Sequence, residues 1–445
     1  MGKYFGTDGI RGKANETLTA ETAFKVGRYL GYYYKKNFNQ AKIVVGKDTR
    51  ISGGMFESCI AAGASASGAD VYLLDTCPTP CVAYLTTNFD FNCGIMISAS
   101  HNPYYDNGIK VFSHKGIKIS ADIEELVEGY IDGAVDIPYG VDSEIGQVIN
   151  YSQGLDLYLD HLHSIFNLDL SDYKIAIDCA SGSASVTANK MLKSLNASVT
   201  VINDQPNGVN INTNCGSTHP EALQEIVKNG DYDCGFAFDG DADRLIAVKA
   251  DGELFDGDHI LYACSRYLSE RKDLTGNTLV TTVMANLGLF KALDKVGINY
   301  KSTQVGDKYV FDCMSKENFD LGGEQSGHII YKKHATTGDG LLTALKLLEV
   351  MKYTSKSLQE LSKDLVIYPQ LLVNVTVNDK NEVMNHTSVL KEVDKVNEEL
   401  AGNGRILVRA SGTEPLVRVM VEAENDDICH KYVYQVVNLI KELAL

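Results

Sequence analysis

The sequence contains 445 residues, of which 44% are apolar and 22% are charged, a composition typical of a soluble globular protein of three or four domains. Its formal net charge of −17 argues against nucleic acids and anionic membranes as partners, because both bind cationic protein surfaces. The ten cysteines include no Cys-x-x-Cys pair, and no apolar run is long enough to span a bilayer. We therefore expect reduced thiols and a cytoplasmic location.

The first block of the chain alternates short strands with helices. Strand-like runs cover 42–46, 70–75 and 93–98, and helical patterns cover 21–36 and 55–67. Strands that alternate with helices of this length are typical of βαβ units in mainly parallel sheets. We predict an α/β domain over residues 1–147, with a linker near Gly146 at its end.

The same alternation returns twice before the pattern changes. Strand-like runs lie at 173–178, 198–202, 234–239, 278–283 and 299–305, and a helical pattern covers 337–353. These predict a second α/β domain over 148–250 and a third over 251–365. Residues 366–445 combine alternating apolar runs with two helical patterns and predict a smaller α+β domain with an antiparallel sheet. The expected fold is three similar α/β domains with mainly parallel sheets, plus this C-terminal domain.

The first candidate for chemistry is Ser100, in the stretch S-A-S-H-N-P that follows a predicted strand. A residue there lies at the carboxyl edge of a parallel sheet, where ligands bind in open α/β folds. Ser100 is either the N-cap of a helix or a reactive residue, and a serine hydrolase is disfavoured because no Gly-x-Ser-x-Gly is present. His101 can assist proton transfer or hydrogen-bond the loop, while Lys110 is a candidate proton carrier or phosphate contact.

The most specific local pattern is F-D-G-D-A-D-R, which places Asp239, Asp241 and Asp243 at alternate positions after a strand. Three carboxylates so close together are unfavourable unless a cation or an arginine offsets them. An oxygen-only ligand set suits Mg²⁺ above all. A calcium-binding EF-hand is excluded because its sixth and twelfth positions would be Arg244 and Ala250. An exposed acidic turn is the alternative.

Two glycine-rich segments carry further polar side chains. In G-G-E-Q-S-G-H, Glu324 and Ser326 can hydrogen-bond a polyol while His328 faces an anion, although a simple turn explains the segment equally well. In G-T-D-G-I-R-G, Arg11 precedes the first helix. Neither segment matches a P-loop or a dinucleotide-binding fingerprint.

The stretch R-A-S-G-T-E-P lies between two predicted strands. It offers Arg409, two hydroxyls from Ser411 and Thr413, and the amide of Gly412, a set that can form a nest for a phosphate. Arg418 on the next strand could reach the same anion. The alternative is an ordinary hairpin turn.

Five motifs in this order, GTDGIRG, SASHNP, DGDADR, GEQSGH and RASGTEP, resemble those of the α-D-phosphohexomutase superfamily over nearly the whole chain. The resemblance implies four domains, of which the first three share an α/β fold and the fourth forms a separate lid-like module. It also implies that Ser100 carries a phosphoryl group and that Asp239, Asp241 and Asp243, together with Ser100, bind one Mg²⁺. Three positions match the active-site cations of the family: Arg11, Lys110 and Arg244.

The resemblance also indicates a substrate. Glu324 and Ser326 match residues that hold sugar hydroxyls, and the loop 409–413 matches the site of the phosphate that is not reacting. Gln325 and Gly412 resemble the members of the superfamily that act on glucosamine phosphates. Ala242 replaces a commoner glycine between the second and third aspartates, a change that does not touch the ligands.

The implied reaction interconverts glucosamine 6-phosphate and glucosamine 1-phosphate through phosphoserine 100 and an enzyme-bound sugar 1,6-bisphosphate, which also serves as activator. The alternative is a phosphoglucomutase or phosphomannomutase that applies the same chemistry to another hexose phosphate. A sugar-phosphate sensor and a metal-dependent phosphatase are rivals from other classes. Several members of the superfamily are dimers through the first domain, so the resemblance allows a homodimer.

Overall fold

The computed structural model describes residues 2–38, 40–411 and 415–443. The chain forms two compact units, the larger from Met1–Met284 and Ile298–Ser362 and the smaller from Ala285–Gly297 and Lys363–Leu445. Three sheets belong to the larger unit and one to the smaller. Within the described residues, no helix has both the length and the hydropathy that crossing a bilayer requires.

The first sheet has seven strands, and its central strands are parallel while the strands at one side are antiparallel. Its strands are β1 (Phe5–Gly6), β2 (Gly9–Lys13), β3 (Ala41–Lys47), β4 (Ala69–Thr76), β5 (Cys93–Ile97), β6 (Asp106–Ser113) and β7 (Val148–Asn150). The spatial order is β1-β2-β6-β5-β3-β4-β7. The associated helices are α1 (Ala20–Asn37), α2 (Gly53–Ser65), α3 (Thr79–Asn88) and α4 (Ala121–Ile131). β7 pairs with β4, so residues 148–150 complete this first sheet.

The second sheet has five strands in the order β12-β11-β10-β8-β9. The elements of this region are α5 (Gly154–Ile165), β8 (Lys174–Asp178), α6 (Ala188–Ser194), β9 (Ser198–Ile202), α7 (Glu221–Asn229), β10 (Cys234–Phe238), β11 (Leu245–Lys249) and β12 (Leu254–Phe255). β8 lies parallel to β9 and to β10. Every residue of β10 is buried, as expected of an apolar central strand.

The third sheet has four strands in the order β14-β13-β15-β16, with β13 parallel to both of its neighbours. The elements of this region are α8 (Gly257–Glu270), β13 (Thr278–Thr282), α9 (Leu287–Val296), β14 (Asn299–Thr303), α10 (Asp307–Glu317), β15 (Leu321–Gly323), β16 (Ile329–Tyr331), α11 (Gly340–Thr354) and α12 (Leu358–Ser362). The mixed α/β architecture with parallel central strands confirms the predicted fold class.

The elements of the smaller unit are β17 (Gln370–Thr376), α13 (Lys380–Asn385), α14 (Thr387–Leu400), β18 (Arg405–Ala410), β19 (Leu416–Glu422) and α15 (Asp426–Glu442). Its three strands form an antiparallel sheet in the order β17-β19-β18. Helix α9 also belongs to this unit, although its sequence lies in the range 251–365. The fully buried carboxylate of Glu422 explains this placement, since it accepts the Leu287 amide at 2.8 Å and the Arg405 Nε at 2.7 Å.

Helices α1 and α2 pack at very short range because glycines line their contact. A Cβ added at Gly27 would lie 2.3 Å from the carbonyl oxygen of Ile60, and one added at Gly63 would lie 2.2 Å from that of Phe24. No side chain fits at these distances, so the close approach of the two helices depends on both glycines.

We predict that Gly27→Ala destabilises the first domain by about 1–3 kcal/mol, because the new methyl group must push the two helices apart. The matched control is Gly54→Ala in α2, where an added Cβ meets nothing within 4 Å and alanine is the better helix former. Thermal unfolding should show a lower Tm for Gly27→Ala and an unchanged or higher Tm for Gly54→Ala. Equal Tm values for the two variants would contradict the close packing.

Candidate active site

Ser100 is buried and lies in a strained turn that follows β5. Its φ angle is +54°, a left-handed conformation that costs a residue with a Cβ about 1–2 kcal/mol. The amide of Ser100 donates to Ser98 Oγ at 2.8 Å, and its carbonyl oxygen accepts from Asn212 Nδ2 at 2.8 Å. No helix begins after it, because the next element is β6. The N-cap interpretation of Ser100 is therefore wrong.

The Arg50 side chain stabilises this turn through hydrogen bonds to its backbone. Arg50 and Asp48 are both buried, and their Nε–Oδ2 distance is 2.9 Å. The guanidinium also donates to backbone carbonyls of the turn: Ser100 (2.8 Å), Asn102 (2.8 Å), Asp106 (3.1 Å) and Pro103. Asp48 accepts from Ser98 Oγ at 2.6 Å, so the pair contacts both ends of the turn. A planar guanidinium with five donors is suited to hold several carbonyls at once.

The three aspartates of the second sheet meet Ser100 directly. Asp239, Asp241 and Asp243 follow β10, and all three are buried, with one carboxylate oxygen of each lying within 4.8 Å of the others. Ser100 Oγ donates to Asp239 Oδ2 at 2.6 Å. The Oδ1 atoms of Asp241 and Asp243 are buried and accept no hydrogen bond from any described residue. A buried oxygen without a partner is costly, and two of them beside a third carboxylate fit a bound cation.

The electrostatics of the triad show the strain that a cation would relieve. Burial, together with the charges of Asp243 and Asp241, raises the pKa of Asp239 well above its ordinary value. Burial opposes the ionisation of Asp243 as well, but the Lys110 ammonium outweighs it and holds the pKa of Asp243 below its usual range. Lys110 Nζ lies 2.8 Å from Asp241 Oδ2 and 3.2 Å from Asp243 Oδ2. One lysine thus offsets part of the charge of two of the three carboxylates.

Asp241 receives further support from the first domain. The Thr79 hydroxyl, at the start of α3, donates to Asp241 Oδ2 at 2.5 Å, and the Thr79 amide donates to the Asp241 carbonyl at 3.0 Å. These bonds fix both the backbone and the carboxylate of Asp241 against the first sheet. The two α/β domains therefore share the candidate metal site.

Three further charged residues, Asp8, Arg11 and Arg244, lie beside Lys110 and the triad. Arg11 pairs with Asp8, whose Oδ2 lies 3.2 Å from Lys110 Nζ. Arg244 Nε lies 3.8 Å from Asp243 Oδ1, and the Arg244 amide donates to Asp239 Oδ1 at 3.2 Å. Burial and the nearby arginine charges lower the pKa of His101 to about 4. The imidazole is therefore neutral at physiological pH, and its Nδ1 lies 3.5 Å from Ser100 Oγ.

The third domain contributes the loop with Glu324 and His328. Glu324 Oε1 accepts from the Gly306 amide at 3.0 Å. His328 is buried, and its Nδ1 lies 3.7 Å from Asp243 Oδ2 while its Nε2 accepts from the Gly338 amide at 2.9 Å. That bond places the ring proton on Nδ1, facing the triad. Ser326 of the same loop is exposed.

The side chain of Gln325 turns towards the protein. Its Nε2 lies 3.3 Å from Asp256 Oδ2, and the backbone carbonyl oxygen of Gln325 accepts from the Gly257 amide at 3.0 Å. Asp256 is the N-cap of α8. Gln325 thus anchors the loop of Glu324 and Ser326 to α8.

The smaller unit carries the predicted phosphate-binding side chains. Arg409 and Arg418 face each other across β18 and β19. Burial and the neighbouring charge of Arg418 lower the pKa of Arg409. Ser411 is buried, and its carbonyl oxygen accepts from Lys380 Nζ at 2.7 Å. Gly412 and Thr413, predicted from the same loop, lie outside the described residues.

Comparison with known proteins decides the family. A curated phosphoglucosamine mutase from Lachnospira eligens is 52% identical over 444 residues, which cover 99% of this chain and 99% of that protein. The chain belongs to the phosphoglucosamine mutase family. Models of the phosphoglucomutase/phosphomannomutase α/β/α domains I, II and III and of the C-terminal domain match residues 2–135, 156–252, 256–367 and 372–439.

Solved structures show the same fold. A phosphoglucomutase/phosphomannomutase family protein from Burkholderia thailandensis superposes with a TM-score of 0.81 at 24% identity, covering 100% of this chain and 99% of that chain. Aspergillus fumigatus N-acetylphosphoglucosamine mutase, determined in complex with GlcNAc-6P and magnesium, gives a TM-score of 0.68 at 17% identity and covers 99% and 96%. The curated relative and the four domain models confirm the superfamily that the five motifs predicted.

For this member of the phosphoglucosamine mutase family, sequence analysis missed several residues that touch the site. They are Asp8, Asp48, Arg50, Thr79 and Asn212. A signal was available for Asp48 and Arg50, because they follow β3 as Ser100 follows β5, and parallel neighbouring strands end at the same edge.

We predict that the metal-free enzyme loses stability as the pH rises from about 4. The folded-state pKa of Asp239 is raised, so its proton is bound more tightly in the folded than in the unfolded protein, and the stabilisation disappears as the pH passes the folded pKa. A bound cation should reverse this effect and add about 2.7 kcal/mol at a hundredfold excess over its Kd. Thermal unfolding in EDTA and in MgCl₂ between pH 5 and pH 9 measures both effects.

Asp239→Asn is the reference variant for this measurement. It removes one of the repelling charges, so its Tm without metal should exceed that of the wild type, with a flatter dependence on pH. Its gain in Tm from MgCl₂ should be smaller. The account is contradicted if wild type and variant show the same pH slope and the same response to MgCl₂.

Proposed function

We propose that this protein interconverts glucosamine 6-phosphate and glucosamine 1-phosphate by passing a phosphoryl group through Ser100. The observation that carries the proposal is the 2.6 Å contact between Ser100 Oγ and Asp239, within a buried triad of carboxylates. A serine at the edge of a metal site is placed to exchange a phosphoryl group. The identity of 52% to a protein named phosphoglucosamine mutase supports glucosamine as the sugar.

The reaction needs two phosphoryl transfers. In the first, the bond between phosphorus and Ser100 Oγ breaks as O1 of glucosamine 6-phosphate binds phosphorus; the O1 proton passes to a base, and Ser100 Oγ takes up a proton. The resulting 1,6-bisphosphate turns end for end. In the second transfer, Ser100 Oγ gives its proton to a base and takes the phosphoryl group from O6, which takes up a proton. This leaves glucosamine 1-phosphate and restores the phosphoserine.

Asp239, Asp241 and Asp243 would hold one Mg²⁺ together with an oxygen of phosphoserine 100. Their donor set fits, because it consists of carboxylate oxygens and includes two buried oxygens that accept no hydrogen bond from the described residues. Bound there, Mg²⁺ would withdraw negative charge from the phosphoryl oxygens during transfer. The Aspergillus fumigatus relative, whose structure contains magnesium with a sugar phosphate, supports this choice of metal.

The remaining residues position and neutralise the reacting groups. Phosphoryl transfer depends on orientation and charge neutralisation more than on covalent assistance. Arg11 and Arg244 supply cationic side chains close to the triad. The hydrogen bonds of Arg50 to the turn that contains Ser100 fix this turn before the substrate binds. His101, which is neutral, can take the proton of the acceptor hydroxyl. Burial lowers the pKa of Lys110, but the charges of Asp241, Asp243 and Asp8 outweigh burial and raise it, so Lys110 stays protonated and acts as a cation.

Reorientation of the bisphosphate requires a binding site that accepts either phosphate. We assign this role to Arg409, Arg418 and Ser411, with Gly412 and Thr413 of the same loop. Glu324, Ser326 and His328 would hold the sugar in both poses. Paired arginines suit a phosphate that carries nearly two negative charges.

We also infer a cytoplasmic location and retain a homodimer as an expectation of the family resemblance. The ten cysteines are all free thiols, which supports a reducing compartment.

We predict that Ser100→Ala lowers turnover of glucosamine 6-phosphate by at least a thousandfold, because no other group can accept the phosphoryl group in that position. The matched control is Ser120→Ala, which changes an exposed serine before α4 that makes no capping hydrogen bond. Product formation is measured with MgCl₂ and a trace of sugar 1,6-bisphosphate. Near-normal turnover by Ser100→Ala would overturn the proposal, as would release of inorganic phosphate in place of isomerisation by the wild type.

A further inference from the structure

The acidic side chain of Asp307 lies beside the sugar-binding loop and has no role in the reaction described above. Asp307 is the first residue of α10 and follows Gly306, whose amide binds Glu324. Its Oδ2 lies 3.7 Å from Nε2 of His328. His328 in turn lies against Asp243 of the triad. Asp307 is thus one imidazole ring away from the metal site and one residue away from the contact to Glu324.

The backbone holds Asp307 at this place. Gly306 has a φ of +129°, a conformation open essentially to glycine, and it turns the chain from β14 into α10. A carboxylate in the first turn of a helix is stabilised by the helix dipole. The side chain of Asp307 is mostly buried, with 18% of its surface exposed. The position is therefore defined by the fold and is not that of a loosely held surface acid.

Asp307 shares its ionic partner with a second carboxylate. Lys118 binds both oxygens of Asp307 at 2.7 Å, but it also binds Asp8 at 2.8 Å, so one ammonium serves two carboxylates. Asp8 has two further cationic partners, Arg11 and Lys110. A carboxylate at the position of Asp307 can form a charged hydrogen bond with an ammonium group on a bound sugar.

We propose that Asp307 selects the amino sugar by pairing with the ammonium group on C2 of glucosamine phosphate. This inference rests on the proposed function and adds the residue that separates glucosamine from glucose. Asp307 already binds one ammonium, that of Lys118, and its two oxygens retain lone pairs for a second donor. A hydroxyl on C2 cannot form an ion pair, so a glucose phosphate lacks this contact.

Three variants separate this role from the simpler roles that Asp307 could have. Asp307→Asn removes the charge and keeps the shape. Asp312→Asn removes a charge from an exposed position of the same helix and is the matched control. Lys118→Met breaks the ion pair but leaves the carboxylate of Asp307 in place.

The experiment measures kcat/KM of each full-length enzyme for glucosamine and glucose phosphates, with MgCl₂ and sugar 1,6-bisphosphate. We expect the ratio of glucosamine to glucose to fall at least tenfold in Asp307→Asn, with the loss on the glucosamine substrate. The ratio should stay within twofold of the wild type in Asp312→Asn, and Lys118→Met should keep or increase it.

The outcomes distinguish the selectivity of Asp307 from the proposed function itself. A wild type that does not isomerise glucosamine phosphate overturns the proposed function. A wild type that is active on glucosamine but shows no preference over glucose overturns the role of Asp307. That role is also overturned if Asp307→Asn lowers both substrates equally, or if Lys118→Met lowers the ratio as Asp307→Asn does, since the ion pair would then be what matters.

Discussion

The carboxylates of Asp239, Asp241 and Asp243 are buried, with an oxygen of each within 4.8 Å of the others, and like charges at such distances need compensation. Several residues of the larger unit compensate the charge of the three carboxylates. The Lys110 ammonium comes from the first sheet, and hydroxyl donors come from Ser100 and from the start of α3. Because the donors belong to the first domain and the carboxylates to the second, the charge of the triad stabilises the contact between the two domains that the chemistry requires.

The reactive turn likewise depends on a buried charge and its partners. Ser100 adopts a left-handed conformation that an isolated peptide would avoid. Arg50 stabilises it by binding several carbonyls of the turn, and Asp48 keeps Arg50 neutralised within the protein. Removing one partner of a buried ion pair typically costs about 3–5 kcal/mol. The turn is consequently rigid before substrate binds, so orientation of the serine does not have to be achieved during the reaction.

The sequence predicted which residues meet at the candidate site better than it predicted the contacts that surround them. Ser100, the aspartate triad and Glu324 all lie in loops that follow strands of the sheets, and their chemistry can be recognised from short motifs. Their partners could not be recognised in this way. Thr79 and Asp241 are separated by 162 residues, and Asp307 reaches Lys118 across 189 residues. Contacts between residues so far apart in the sequence depend on how the domains pack, and no local sequence pattern predicts them.

Domain boundaries show a related limit. The four predicted domains are continuous segments, whereas the smaller unit includes residues 285–297 from the third segment. The cause is a buried carboxylate, Glu422, that binds the amide at the start of α9. Apolar periodicity detects such a helix and does not say which core it joins. The contacts of Gln325 with Asp256 and of Asp307 with Lys118 are likewise visible only in the fold, because each joins residues that are far apart in the chain.

The central claim is that Ser100 exchanges its phosphoryl group with both ends of the sugar. The most direct test starts from enzyme that carries a radiolabelled phosphate on Ser100 and mixes it with excess unlabelled glucosamine 6-phosphate for a single turnover before an acid quench. The account predicts that the label leaves Ser100, passes through the 1,6-bisphosphate and ends on C1 of glucosamine 1-phosphate, while the serine regains an unlabelled phosphate. Label that stays on Ser100 during isomerisation, or leaves as inorganic phosphate, would contradict it.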